Sequence, residues 1–299
     1  MRVFVSGATG YVGGYLVPAL LEQGHSVQAL VRPGSESRLP APGPGSVTPV
    51  FGDALNEEQV ARGMEGCEAA IHLVGIIREV PSRGITFERL HVRATEYVIR
   101  AAAQQQVARY VHMSALGANP DSPAGYLATK ARAEQLVRAS DLEYTLFRPS
   151  IIFGPGDDFI NYFAGIMRRF HLIPIIGAGR YRMQPVYVDD VCQAFVRALD
   201  APETVGNTIE IGGPDRYSYR DLMQVVKQVL GIRALPVYNP RILMQGLAKV
   251  FGRFGFFPVT EDQIIMLYDE NITDDTRAFD LLDIEPTPFR EGLQHYLSA

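Results

Sequence analysis

Six short apolar runs recur through the first half of this chain: "RVFVSG" (2–7), "SVQALV" (26–31), "TPVFGD" (48–53), "AAIHLVG" (69–75), "YVHMSA" (110–115) and "YTLFRP" (144–149). Longer segments of helical patterning lie among them, near 11–23, 56–65, 86–105 and 124–140. Near-continuous apolar runs are what strands buried on both faces look like, and their alternation with helices marks βαβ units on a parallel sheet. The expected fold class is therefore α/β, a Rossmann-type doubly wound parallel sheet. The Gly-, Pro- and Ser-dense stretch "RPGSESRLPAPGPGS" (32–46) lacks periodicity and reads as a surface loop. Beyond residue 154 the pattern loosens, with "GPGDDF", "IPIIGAGR" and "GGPDRYS" punctuating helices near 159–170, 189–200 and 218–230. We divide the chain into a sheet domain, 1–155 with 183–213, and a smaller mixed substrate or lid region, 156–182 with 214–299.

Bulk properties exclude several classes. A net charge of −5 offers no global attraction to nucleic acid or anionic lipid, so such a contact would have to come from a local patch, and no nucleic acid is expected as a partner. Cys67 and Cys192 form no C-x-x-C pair and read as buried, inert thiols of a reducing compartment. A strand beginning at residue 2 leaves no room for a leader, and no apolar run reaches the ~18 residues that span a bilayer. The expectation is a cytoplasmic protein, with a peripheral place at the inner membrane left open. The histidines at 72, 91 and 112 have no ligand-like spacing, so no metal is expected.

The first turn carries the strongest chemical signal. "VFVSGATGYVGGYLVPALL" sets Gly7, Gly10 and Gly13 between strand and helix, where backbone N–H groups and the positive helix end can meet a pyrophosphate. The spacing is G-x-x-G-x-x-G rather than the strict dinucleotide fingerprint, and a plain tight turn is the rival reading. At the end of the second run stands Arg32, with Arg38 six residues on and no acid at the strand end. A guanidinium suits a 2′-phosphate where a carboxylate would suit a free ribose hydroxyl, so NADP(H) is favoured over NAD(H); solvated surface arginines are the alternative.

"YLATK" (126–130) holds one of only three lysines in the chain. Four residues apart on a helix, Tyr126 and Lys130 share a face, and a nearby ammonium would draw the phenol's pKa down from its ordinary ~10.

On these residues the chain resembles the short-chain dehydrogenase/reductase family in its extended and atypical branches: "GATGYVG" resembles the family's cofactor loop, and "YLATK" its Tyr-x-x-x-Lys beyond the fifth strand. The resemblance is strongest to the branch that includes the nucleotide-binding accessory subunit of respiratory complex I and its bacterial relatives, with "FHLIPIIGAGRYRMQPVYVDDV" carrying much of it. It implies Tyr126 as acid/base, Lys130 as its tuner and holder of the nicotinamide ribose, and Ser114 in "HMSALGA" as the third catalytic residue. It puts Gly7, Thr9, Gly10, Tyr11, Val12, Gly13, Asp53, Ala54, Val74, Gly75, Pro149 and Ser150 beside the cofactor. Asp53 has a rival role in the turn before a helix whose cap is Asn56, with Gln59 three residues later. The asparagine of many relatives is replaced by His91. Asp189 and Asp190 read as helix-capping residues rather than a catalytic pair. The stretch 242–258, mixing Arg and Lys with large apolar residues, reads as a lid over the substrate pocket, with a membrane or protein contact as the alternative.

Two functions follow: an NADP(H)-dependent oxidoreductase or epimerase acting on a quinone-like or sugar-nucleotide small molecule, or an NADPH-binding accessory protein of a respiratory or quinone-linked complex.

Overall fold

The computed structural model describes residues 1–40, 46–240, 246 and 260–298; apart from Gly246, the stretch 242–258 lies outside them. Its centre is a seven-stranded, wholly parallel sheet. Six strands arise from the apolar runs: β1 (Arg2–Ser6), β2 (Ser26–Val31), β3 (Val47–Phe51), β4 (Ala69–His72), β5 (Arg109–Met113) and β6 (Glu143–Pro149). The seventh, Asn207–Ile211, was not among them. It lies outside β6 at the sheet edge, where alternating polar positions replace a continuous apolar run. β3 occupies the other edge and is largely exposed, which is where its Pro49, lacking an N–H, is tolerated.

The order across the sheet is β3-β2-β1-β4-β5-β6 and then the seventh strand, so the chain reverses direction between β1 and β4. Helices cover both faces. α1 (Tyr11–Glu22) and α6 (Val188–Ala198) enclose one apolar core with Val3, Val5, Ile71 and Phe147. α2 (Glu57–Gly63), α3 (Ala94–Gln104) and α4 (Gly125–Arg138) lie on the other, over Phe4, Tyr110 and Leu146. Open α/β sheets bind ligands at the carboxyl ends of strands where the order reverses. The predicted helix at 86–105 is interrupted: Glu88–Arg93 is a π-helical turn before α3 begins.

A further apolar centre joins α5 (Ile160–Phe170), α7 (Tyr219–Val229) and the C-terminal helix Phe289–Leu297, and at its seam with the sheet Phe153 meets Phe289 edge-on and Tyr187 at a tilt. A two-stranded parallel pair, Leu172–Ile176 with Leu235–Asn239, flanks it. Among the described residues no helix is long and apolar enough to cross a membrane. Both cysteines are buried and free. Asp189 and Asp190 are not caps, since Tyr187 holds the N-cap position of α6. Asp190 is buried and accepts from the Thr287 N–H and hydroxyl, both at 2.8 Å.

Buried Arg109 ties the sheet to α6. Its guanidinium donates to the carbonyls of Ala198 and Glu143 and to the hydroxyls of Thr145 and Thr204, at 2.5–3.1 Å. Arg109→Met fills the space but strands these acceptors. It should lower stability by on the order of 3 kcal/mol, read as an earlier urea midpoint at unchanged slope.

Candidate functional site

The glycine loop is shaped by close approaches. Gly7 has φ +86°, and a Cβ there would stand 3.1 Å from the backbone of Leu73 and Val74, where β4 leaves the sheet. Gly13 is more constrained still: its Cβ would lie 2.2 Å from the Gly7 carbonyl oxygen and 2.7 Å from Ala8. Only glycine lets α1 dock on the loop that introduces it. The Gly10 N–H donates to Gly7 O at 2.9 Å. α1 then starts with no side-chain cap and no acid in its first turn. Its first N–H groups, those of Tyr11, Val12 and Gly13, have no intrahelical acceptor, and the helix dipole adds to them. These residues fit a dinucleotide's pyrophosphate. The Thr9 side chain is half-buried in the same loop.

The Tyr11 ring turns away toward the loop after β6. Its hydroxyl is buried without a partner among the described residues, and a Cβ at Gly154 would lie 2.8 Å from it. Burial and the Asp157 carboxylate raise the phenol's pKa. Tyr15, one turn on, donates to Pro155 O at 2.7 Å, which fastens α1 to that loop.

Arg32 directly follows β2, and Arg38 closes the short 3-10 turn Glu36–Arg38. Both are exposed and neither has an ion pair among the described residues. Asp53 makes a local turn, accepting from the Leu55 N–H at 2.8 Å. Asn56 caps α2 as expected, but Gln59 reaches past it and accepts from the Asp53 N–H at 2.8 Å. Ala54 is buried next to this turn, and Val74 and Gly75 lie at the exit of β4. The Pro149 carbonyl accepts from the Leu116 N–H at 2.9 Å, and the Ser150 hydroxyl donates to Gln184 O at 2.5 Å.

α4 carries Tyr126 and Lys130. Its N-cap, Ala124, supplies no side-chain cap; Asp262, from the distant helix Glu261–Tyr268, accepts from the Tyr126 N–H at 3.2 Å instead. Ile265 and Met266 of that helix pack on the buried cluster of Ala115, Ala124 and Leu127, which Tyr126 also borders. The phenol ring lies edge-on to Phe87 and His91, at 5.9 and 5.3 Å between centroids, and its hydroxyl has no hydrogen-bond partner among the described residues. Burial pushes Tyr126 up to about 12. The expected downward pull from Lys130 is therefore not what governs the phenol in this state; desolvation is. Lys130 is buried, its ammonium donates to Met113 O at 2.9 Å, and a Cβ at Gly75 would lie 3.1 Å from it. Burial lowers Lys130 to about 8, with Glu134 pulling the other way.

Ser114 is engaged elsewhere. Its hydroxyl donates to Glu134 Oε1 at 2.5 Å, and the same buried carboxylate takes two bonds from Arg148 and one from Arg138, each at 2.7 Å. Glu134 was missed in the sequence, although it follows Lys130 by one helical turn. His91, in the π turn, joins α4 to the exit of β4 through Thr129 Oγ1 at 2.9 Å and the Ile76 backbone at 3.1 Å. Burial and Lys130 hold its ring neutral, with a pKa of about 2. Asp262 was also unseen, though "TEDQ" (260–263) spells the capping box that Thr260 and Gln263 form.

Comparison with known proteins agrees with this geometry. Residues 7–157 match a family model described as NAD(P)H-binding. The mitochondrial NADH dehydrogenase [ubiquinone] 1 alpha subcomplex subunit 9 of Mus musculus is 31% identical over 95% of this chain and 76% of its own length. The ceramide reductase of Caulobacter vibrioides is 30% identical over 82% of this chain and 76% of its own. UDP-glucuronic acid 4-epimerase from Bacillus cereus, solved with UDP-glucuronic acid and NAD, superposes with a TM-score of 0.75 at 19% identity, over 98% of this chain and 97% of that one. At that identity the superposition speaks for the fold.

Two outcomes test the site. Gly13→Ala should weaken NADPH binding by at least about tenfold in a fluorescence titration, because the Cβ has backbone on its far side. Lys130 titrates near 8 when folded and near 10.5 when unfolded, so the unfolded chain binds more protons between those values. Stability of the cofactor-free protein should accordingly rise between pH ~8 and ~10 by up to about 1.4 kcal/mol per unit from this group, and Lys130→Met should remove that contribution.

Proposed function

This chain belongs to the NAD(P)H-binding, epimerase/dehydratase-like short-chain dehydrogenases/reductases, and we propose that it is an NADP(H)-dependent reductase of a carbonyl group on an apolar, lipid-like molecule. The observation that carries this reading is the Tyr126 hydroxyl: on α4, flanked by Phe87 and His91, with no protein partner among the described residues and a buried lysine one turn along the same helix. A phenol held at about 12 is protonated throughout the physiological range. It is equipped to give a proton to a carbonyl oxygen rather than to take one from an alcohol.

The glycine loop and the open start of α1 would hold the pyrophosphate, and Arg32 with Arg38 would meet a 2′-phosphate. When bound, the dihydronicotinamide would supply hydride chemistry to a carbonyl carbon. Tyr126 gives its proton to the carbonyl oxygen, and the Lys130 ammonium offsets the phenolate that remains. Lys130, beside Gly75, would also hold the nicotinamide ribose. Ser114, its one hydroxyl proton directed at Glu134, is proposed to anchor β5 to α4 and to leave the reacting oxygen to Tyr126. Ile265 and Met266, which share with Tyr126 the apolar cluster of Ala115, Ala124 and Leu127, favour an apolar substrate, and the named activity of the Caulobacter relative supports a lipid carbonyl.

A second reading, an NADPH-binding accessory subunit without turnover, is favoured by the mouse relative's name and by the engaged Ser114. One set of measurements separates the two. Under the first reading, NADPH is oxidised by long-chain keto-lipids in preference to UDP-sugars. Tyr126→Phe then lowers kcat by about 10²-fold or more, and kcat falls as pH rises through about 8, where Lys130 loses its charge. Arg32→Ala should weaken NADPH about tenfold while leaving NADH unchanged. Tight NADPH binding with no oxidation by keto-lipids, quinones or UDP-sugars supports the second.

A further inference from the structure

Charge is unevenly spread along this acidic chain. Residues 159–188 contain no aspartate or glutamate, and neither do residues 222–260, although 33 carboxylates stand elsewhere. The fold brings described parts of both stretches together, for Leu172–Ile176 and Leu235–Asn239 pair in parallel, Leu235 opposite Leu172 and Val237 opposite Pro174. The outer strand is exposed on both faces. Leu235 is 72% exposed, Phe170 59% and Tyr238 52%, the three most exposed large apolar side chains among the described residues.

Cations surround them. The Arg169 guanidinium lies over the Phe170 ring at 5.5 Å, and Lys227 and Arg233 line a shallow cavity of about 520 Å³ beside Leu235 and His171. None of these three cations has an ion pair among the described residues. Exposed apolar side chains ringed by unpaired cations, with every carboxylate excluded from the two stretches, match the physics of an anionic bilayer surface. Cations gather at the headgroups while apolar side chains enter the acyl boundary. The acidic remainder of the molecule is repelled from the same surface, which selects one orientation.

We propose that this paired-strand face docks peripherally on an anionic lipid bilayer. The face also approaches the start of α4: a Cβ at Gly177, just past Leu172–Ile176, would lie 2.4 Å from the hydroxyl of Tyr268, on the helix whose Asp262 accepts from the Tyr126 N–H. The docking itself does not depend on the proposed activity.

The test is co-sedimentation of the full chain with vesicles of pure phosphatidylcholine or of phosphatidylcholine containing phosphatidylglycerol. Binding should be at least about tenfold stronger to the anionic vesicles and be lost at high salt. Lys227→Gln with Arg233→Gln should weaken it by about fivefold per cation removed. Leu235→Glu, at an exposed position, should lower it at least tenfold, on the order of one buried side chain replaced by a charge. Leu281→Glu, on the acidic side of the molecule, should leave it unchanged. Failure to bind either vesicle, equal binding to both, or binding indifferent to Leu235→Glu and to the paired cation change would overturn the proposal. So would dimerisation by light scattering that Leu235→Glu abolishes without any vesicle binding, which would make a second copy the occupant.

Discussion

The Gly7 carbonyl oxygen occupies the place where a side chain at residue 13 would begin. That contact sets the angle at which α1 leaves the sheet and the depth at which its first N–H groups stand. Because Gly7 itself is pressed against the exit of β4, the same few atoms also fix the separation of β1 and β4, the pair between which the chain reverses. The shape of this loop is a property of backbone geometry, with side chains excluded from its centre.

Helix α4 is held by a different kind of interaction. Glu134 is fully buried, and its carboxylate is tolerated because Arg148, Arg138 and Ser114 saturate it. Strands β5 and β6 are thereby tied to one face of α4, and Lys130 sits one turn away from that anchor. The lysine's other neighbours are uncharged: His72, His91 and His112 are all buried and their pKa values are lowered, so they add polarity around the ammonium without adding charge. Its nearest carboxylate is largely engaged by arginine. An amine in such surroundings is easier to deprotonate, and a phenol in them is harder to ionise.

Six strands and the helices between them were legible because burial on both faces writes itself as an uninterrupted apolar run. The seventh strand was not, since an edge position lets polar residues alternate and "NTIEI" resembles a loop between turns. The glycine loop, Arg32 at the strand end and the Tyr–Lys spacing were legible because each is local in sequence. What stayed hidden was non-local. Nothing near Ser114 announces that its hydroxyl is taken by Glu134, twenty residues on. The pKa of Tyr126 depends on how deeply Phe87, His91 and the 261–268 helix enclose it, and a four-residue spacing does not report enclosure. Asp190 bonds Thr287 across 97 residues rather than its own helix start.

The carboxylate at the start of α4 comes from Asp262, 136 residues after the tyrosine whose N–H it accepts. During synthesis the sheet through β6 can emerge and collapse well before residue 262 leaves the ribosome. Until then the helix bearing the phenol lacks its terminal partner and the apolar cover of Ile265 and Met266. The surroundings of Tyr126 are thus completed late in the chain's birth, well after the glycine loop and the strands beside it have been made.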